Sequence, residues 1–162
     1  GKVEARVDKA PLAALKDFKA KVDDKTLKVT GQATLLSGAA DKAGKVTLHV
    51  AVVEDEIRYL GSNGVRFHSL VVRKLLGSPA GTVLQKAGAK TAFSESLDLA
   101  AVHASLDAYL DKYEKDRQAR QSGFAFKDRV DRLDPKKLRV VAFVQDDQTR
   151  EILQAVFVTA GK

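Results

Sequence analysis

An alternation of apolar and polar residues in several short segments constrains the fold most strongly. Segment 26–36, TLKVTGQATLL, is apolar at alternate positions and mostly polar between them. Successive side chains of a β-strand point to opposite faces of its sheet, so this pattern predicts a strand with one buried face. Segment 45–60, KVTLHVAVVEDEIRYL, predicts a second strand. With the flexible loop 37–44 between them, the two are predicted to pair as an antiparallel hairpin. The expected inner positions are Leu27, Val29, Ala33, Leu35, Val46, Leu48, Val50 and Val52.

Further strands are expected along the rest of the chain. Segment 138–145, LRVVAFVQ, and segment 150–160, REILQAVFVTA, flank DDQT and predict a C-terminal hairpin. The first of these strands is apolar on both faces, so we expect it to be central in its sheet, with Val140, Ala142 and Val144 buried. Segments 2–7, 65–76 and 90–99 also favour strands, although 65–76 has some helical periodicity as well.

Two segments have helical spacing instead. Segment 8–22 places Leu12, Leu15, Phe18 and Val22 about one turn apart after Asp8 and Pro11, which predicts a short N-terminal helix. Segment 98–120 predicts a long helix capped by Asp98. Its apolar stripe comprises Leu99, Val102, Leu106, Tyr109, Leu110 and Tyr113. Together these patterns predict a mainly β domain, a two-layer antiparallel sandwich over residues 1–162, with residues 98–137 as a helical insertion.

Composition narrows the context and the chemistry. The 162 residues include no cysteine, which excludes disulfides, thiol nucleophiles and cysteine-rich zinc sites. No apolar run is long enough to span a bilayer as a helix. The net charge is +7, but acidic residues are interleaved with the basic ones, so a solvated mixed-charge surface is favoured over nucleic-acid binding. The chain opens on Gly1 rather than Met, and we expect it to be a processed or excised piece of a longer protein.

Motifs for catalysis are missing from the sequence. It has no GxSxG elbow, no Walker loop and no GxGxxG. The acidic clusters 53–56, VEDE, and 145–147, QDD, lack the ligand spacing of a calcium loop, so neither a metal nor a cofactor is expected. His49 is expected to be a surface residue of its strand, and His103 to flank the apolar stripe of the long helix. We therefore expect a protein that is not an enzyme.

One stretch, 61–77, GSNGVRFHSLVVRKLLG, contains the candidate ligand-binding residues Arg66, His68 and Arg73. Two guanidinium groups and the backbone N–H groups of an Asn-Gly turn have the chemistry to bind an anion. The favoured interpretation is structural, with His68 tying the turn to a neighbouring strand. An anionic ligand or acidic partner held by the three residues is the alternative.

Two blocks carry a resemblance to a known family. Segments 46–84 and 138–158, including VVED, GSNGVRFH and VAFVQDDQTREILQA, resemble the C-terminal domain of exported bacterial outer-membrane lipoprotein-like proteins, in which a thioredoxin-like domain precedes an immunoglobulin-like sandwich. The resemblance covers about sixty residues and contains no thioredoxin-like part. It implies a non-catalytic spacer or docking module, periplasmic or associated with the cell envelope. Its expected partner is the upstream thioredoxin-like domain of the same chain, with another protein or a homodimer as further possibilities.

Overall fold

Two antiparallel β-sheets packed face to face form the fold in a computed structural model of the chain. The structure describes residues 10–23, 25–58, 67–126 and 132–161. The strands, in chain order, are β1 (Ala13–Asp23), β2 (Thr26–Leu35), β3 (Val46–Glu54), β4 (Ile57–Arg58), β5 (Phe67–His68), β6 (Val71–Leu76), β7 (Thr82–Val83), β8 (Lys90–Asp98), β9 (Leu138–Asp146) and β10 (Ile152–Thr159). One α-helix, α1 (Leu99–Gln118), follows β8, and short 3₁₀ helices span Ser37–Lys42 and Pro135–Lys137.

The two sheets enclose one apolar core. The first sheet has the order β1-β2-β8, and the second has the order β10-β9-β3-β6, with β7 also paired to β3. Strands β4 and β5 form a separate two-stranded pair. All pairings between these strands are antiparallel. The expected mainly β sandwich with a long helix is confirmed.

The central position of β9 is confirmed as well. It lies between β10 and β3, and Val140, Ala142 and Val144 are fully buried. The alternate residues of β9 are half-buried on the other face of the same sheet. A strand that is apolar on both faces therefore has neighbours on both sides, as the sequence indicated.

The predicted hairpin between segments 26–36 and 45–60 is wrong. Strand β2 pairs with β1 and β8, whereas β3 pairs with β6, β7 and β9 in the other sheet. The 3₁₀ helix Ser37–Lys42 connects the two strands across the sandwich. Both inner faces are buried, but they meet across the core instead of lying side by side. Alternation alone identifies a half-buried strand and does not tell which strand it pairs with.

The predicted N-terminal helix over 8–22 is also wrong, because the described part of this segment is strand β1. A bulge between Lys16 and Lys19, with Asp17 at φ 55°, inserts an extra residue into the pairing with β2. The bulge changes the spacing between Leu15 and Phe18 from two residues to three, which imitates a helical turn. Phe18 then covers Gly31 of β2 and stacks on Phe93 of β8 at 6.4 Å between ring centroids. The predicted strand 2–7 lies outside the described residues.

Backbone hydrogen bonds close one edge of the sandwich. Gly161, just after β10, accepts from the Val22 N–H at 2.7 Å and donates its own N–H to the Ala20 carbonyl at 3.0 Å. This short parallel bridge joins β1 of the first sheet to the end of β10 of the second. The opposite edges, β8 and β6, have no such bridge among the described residues.

The long helix begins as predicted but is buried only near its start. The Asp98 carboxylate caps it by accepting from the backbone N–H groups of Ala100 and Ala101. Leu99 and Val102 are buried and Leu106 is partly buried, whereas Tyr109 is 63% exposed. Farther along, Tyr113 packs on Phe124 and Phe126 of the following loop. The apolar stripe therefore contacts the core over its first two turns, and its far end contacts a local aromatic cluster.

Asp146 fixes the turn between β9 and β10. Its carboxylate forms an ion pair with Lys42 and accepts from the backbone N–H groups of Gln148 and Thr149. The Lys42 hydrogen bond, aided by these N–H groups, holds the pKa of the Asp146 carboxyl well below its usual range. The acidic segment 145–147 is thus part of a turn, and the ion pair between Asp146 and Lys42 ties this turn to the 3₁₀ helix Ser37–Lys42.

Alanine substitutions on the helix should distinguish its packed first turns from its exposed later part by their effect on stability. Leu99→Ala should lower the free energy of unfolding by about 2–5 kcal/mol because it leaves a cavity in the core. Tyr109→Ala should change it by no more than about 0.5 kcal/mol. Urea titration of both variants measures the difference. Equal losses would show that the helix packs along its whole length.

Replacement of Asp146 should weaken the acid dependence of stability. A carboxyl whose folded pKa is depressed stabilises the fold above its unfolded pKa of about 3.9, and this contribution is lost as the pH falls toward the folded value. Asp146→Asn keeps an acceptor for the turn but removes the charge. Between about pH 5 and pH 2, its unfolding free energy should therefore fall less than that of the wild type. Asp116→Asn, at an exposed helix position, is the control and should follow the wild type.

Candidate functional site

The open edge of the sandwich forms a cleft where β6, β8 and the start of α1 meet. Strand β6 is the edge of the second sheet, and β8 is the edge of the first. The cleft has a volume of about 240 Å³. It is lined by Arg73, Lys74, Leu97, Asp98, Ala101, Val102, Ser105 and Leu106. We call this site the edge cleft; it has an apolar wall from the helix and β8 and a cationic wall from β6.

Arg73 is the most constrained charged residue of the edge cleft. A register shift between Val52 and Val53 of β3 leaves Arg73 without a Cα partner in the ladder. Its Nε donates to the Glu54 Oε2 at 2.7 Å, and the two side chains are only 10% and 4% exposed. Burial removes water from both groups, so the pair is held by its geometry and hydrogen bonds.

Glu54 connects Arg73 to the segment that precedes β9. Its second oxygen, Oε1, accepts from the backbone N–H of Asp134 at 2.8 Å. The adjacent Leu133 N–H donates to Nε2 of His103 on α1 at 2.7 Å. His103, predicted to flank the apolar stripe, is half-buried and holds this segment against the helix. One carboxylate thus joins β3, β6 and the segment before β9.

The Arg73 guanidinium keeps a donor that this network does not use. Its Nη2 is buried, and no acceptor among the described residues lies within hydrogen-bond distance of it. A buried donor without an acceptor costs about 1–3 kcal/mol, more when the group is charged. Nε donates to Glu54, whereas Nη2 is enclosed by the surrounding protein and has no acceptor among the described residues.

The structure places the three predicted site residues differently. Arg66 lies outside the described residues. His68 is half-buried in β5, where it pairs with Ile57 of β4. Arg73 lines the edge cleft and is paired with Glu54. The joint action of these three residues stays a prediction. Sequence reasoning missed Glu54, although its position in the VEDE cluster at a strand end was a usable signal.

The second sheet also has an apolar surface on the side away from the core. Phe157 lies directly opposite Val141, which lies opposite Ala51, which in turn lies opposite Leu75. Residues opposite each other in an antiparallel sheet share a face, so this row crosses all four strands. Phe143 and His49 form the adjacent row, with ring centroids 5.1 Å apart. We call these two rows the outer face.

The outer face is open to solvent at both ends of its first row. Phe157 is 52% exposed and Leu75 is 40% exposed. Val72, three residues before Leu75 on β6 and opposite Val53 across the bulge, is 57% exposed. Between the two ends, Val141 is half-buried and Ala51 is only 5% exposed, so the exposed apolar area lies on the edge strands β10 and β6. Exposed apolar side chains grouped in this way can mark a contact with a partner. His49, expected to be a surface residue, is instead half-buried by its stacking on Phe143.

Two further observations limit the chemistry of the described residues. Within the ranges that the structure describes, no group of three or more His, Asp or Glu side chains is placed to hold a metal ion. The helix described above is not long and apolar enough to cross a membrane, nor is any other helix in the described ranges.

The fold is shared with solved bacterial proteins. A domain of the outer membrane lipoprotein Omp28 from Porphyromonas gingivalis matches with a TM-score of 0.53 and 17% identity, over 94% of this chain and 91% of that one. HBP35 of Porphyromonas gingivalis matches with a TM-score of 0.65 and 14% identity, over 98% of this chain. The chain spans 44% of the length of HBP35. No protein-family model matches the sequence, and no curated protein matches it. The resemblance to an outer-membrane lipoprotein domain is thus supported at the level of the fold.

The Glu54–Arg73 pair should contribute far more to stability than the exposed pair nearby. Glu54→Gln leaves the buried guanidinium without its counter-charge and should cost about 3–5 kcal/mol. Glu56→Gln is the matched control, because Glu56 is 74% exposed and 3.8 Å from the Lys137 ammonium. This change should cost no more than about 1 kcal/mol. Urea unfolding of both variants checks the contrast, and similar losses would show that the buried pair is not needed for the fold.

Proposed function

We propose that the chain is a non-catalytic interaction module of an exported bacterial protein, located in the periplasm or associated with the cell envelope. It acts as a spacer and docking surface beside a thioredoxin-like domain of the same polypeptide. The fold shared with an outer-membrane lipoprotein domain supports the envelope assignment. The family resemblance of segments 46–84 and 138–158 supports the thioredoxin-like neighbour.

The apolar outer face is the observation that carries this proposal. Phe157 and Leu75 stay exposed in the isolated chain, and both would lose water on contact with a second folded unit. HBP35 extends well beyond the part that this chain matches, so in that protein the same fold is joined to further chain. We therefore assign the outer face to contact with the neighbouring thioredoxin-like domain.

The absence of cysteine in this chain bears on which unit, the module or the thioredoxin-like domain, could carry out redox chemistry. Thiol–disulfide exchange requires a thiolate, and this chain has no thiol. Any redox chemistry of the whole protein would belong to the thioredoxin-like domain. The module would position that domain through its outer face and would not take part in electron transfer.

The test begins with the full-length gene, where an export signal and a thioredoxin-like domain are expected upstream. That domain, produced separately, is then titrated into the isotope-labelled chain and followed by NMR. The amide signals of Ala51, Val141 and Phe157 should shift, and those of α1 should stay unchanged. Phe157→Ser should weaken binding by about tenfold or more, as expected for an exposed aromatic anchor.

Tyr109→Ser is the matched control, since Tyr109 is an exposed aromatic residue on α1. It should leave the titration unchanged. The proposal fails if the upstream gene encodes no such domain, or if the shifts map to α1. Shifts of outer-face signals that depend only on the concentration of the chain would instead identify this surface as a homodimer contact.

A second candidate function is the binding of an anionic ligand or acidic partner through Arg66, His68 and Arg73. The placement of Arg73 in the lining of the edge cleft favours it. This function would use the open edge of the sandwich rather than the outer face, so both functions are compatible with one fold.

A further inference from the structure

We propose that the edge strand β8 is a dimer interface, along which a second copy of this chain adds its own β8 in antiparallel orientation. The two copies would be related by a two-fold axis at Ser94, the midpoint of the strand. Their three-stranded sheets would then join into one continuous sheet. This inference goes beyond docking on the outer face, because the outer face belongs to the second sheet.

The first argument is the open edge of β8. All nine residues of the strand pair with β2, and no other strand of the described ranges pairs with its opposite side. An edge strand presents a row of backbone N–H and C=O groups that can pair with another chain. The outward side chains of Ala92, Ser94 and Ser96 are exposed and small, so they leave the approach to this backbone open. Of this strand, Leu97 and Asp98 line the edge cleft beside α1.

The second argument is a contrast with the other edge strands. A register shift interrupts the pairing of β1 with β2, of β10 with β9 and of β6 with β3. Strand β6 also has Arg73 and Lys74 at its centre. Bulges and charged side chains are means by which proteins protect sheet edges against pairing with another chain. Strand β8 keeps a continuous register, contains no proline and has a serine at its midpoint.

The third argument is that β8 is complementary to itself when the strand direction is reversed. Antiparallel pairing about Ser94 places this serine opposite its own copy. Ala92 then lies opposite Ser96 of the second copy, which pairs two small side chains. At both ends, Lys90 lies opposite Asp98 of the second copy. The helix cap uses Oδ1 of Asp98, so Oδ2 remains for the lysine ammonium.

Charge selects the register of this pairing, whereas the backbone hydrogen bonds hold the two strands together. Exposed ion pairs contribute little stability, but opposite charges directly across paired strands favour one register over another. Pairing centred on Phe93 or Glu95 would separate Lys90 from Asp98 and leave one end of each strand unpaired. Centring on Glu95 would also place two glutamates opposite each other. Pairing about Ser94 is therefore the register that uses the whole strand.

Sedimentation equilibrium of the chain tests whether the dimer forms. A reversible monomer–dimer equilibrium should appear between about 5 and 500 µM, since small interfaces form weak complexes. Ser94→Lys brings two ammonium groups together at the two-fold axis and should weaken the dimer about tenfold or more. Ser122→Lys makes the same change at an exposed loop position and should leave the equilibrium unchanged. A chain that stays monomeric over this range, or an equal effect of the two variants, overturns the proposal.

The register can be tested by disulfide cross-linking, because the chain has no cysteine of its own. Directly opposite residues of an antiparallel pair have Cα atoms about 4.5–5.5 Å apart, within the range of about 4.4–6.8 Å that a disulfide spans. Ser94→Cys should therefore cross-link to its own copy under mild oxidation. Ala92→Cys alone should not, because its copy lies about 14 Å away along the strands. A mixture of Ala92→Cys and Ser96→Cys should form the mixed disulfide, and efficient self-cross-linking of Ala92→Cys would contradict the pairing.

A charge reversal tests the contact at the ends of the strand. Lys90→Glu places a carboxylate opposite Asp98 of the second copy and should weaken the dimer severalfold. Lys16→Glu is the matched control, because Lys16 is exposed on β1 at the opposite edge of the same sheet. Urea titration verifies that each variant is folded. A dimer that Phe157→Ser abolishes and Ser94→Lys preserves would assign the contact to the outer face and overturn this proposal.

Discussion

The buried ion pair between Glu54 and Arg73 is the interaction on which the open edge of the sandwich depends. Glu54 lies at the end of β3 and holds β6 through Arg73 and the incoming segment through the Asp134 N–H. That segment is held in turn to α1 by the bond from Leu133 to His103. Without the carboxylate, the edge strand, the helix and the segment before β9 would lose their shared anchor, and a buried guanidinium would remain without its counter-charge.

The two edges of the sandwich are finished by different physical means. At the β1 edge, backbone groups of Gly161 pair with Ala20 and Val22, which satisfies donors and acceptors without any side chain. At the β6 and β8 edge, the side chains of Arg73 and Glu54 make the contact, and the edge cleft lies between the sheets there. The backbone bridge uses no side chain, whereas the ion pair brings together two long side chains and their polar atoms. The edge cleft lies on the side of the ion pair.

The sequence predicted local features well and long-range pairings poorly. The strand pattern of β2, the central position of β9 and the Asp98 cap each depend on neighbouring residues, and the structure confirms them. The bulge at Asp17 could not be foreseen, because the extra residue mimics helical spacing. Likewise, Glu54 and Arg73 are nineteen positions apart, and their contact depends on the register between β3 and β6. Arg73 was singled out from its residue type, but its partner required the pairing of two strands.

The energetics of buried ion pairs show what the Glu54–Arg73 contact costs the fold. An apolar pair of similar volume often stabilises a fold as well as a buried ion pair does, since it avoids desolvating two charges. Arg73 and Glu54 incur that desolvation, and Nη2 still has no acceptor among the described residues. Stability alone therefore does not account for the arginine at this position. The polar pair is thus a structural anchor that joins β3, β6 and the segment before β9, although it leaves one buried donor without an acceptor among the described residues.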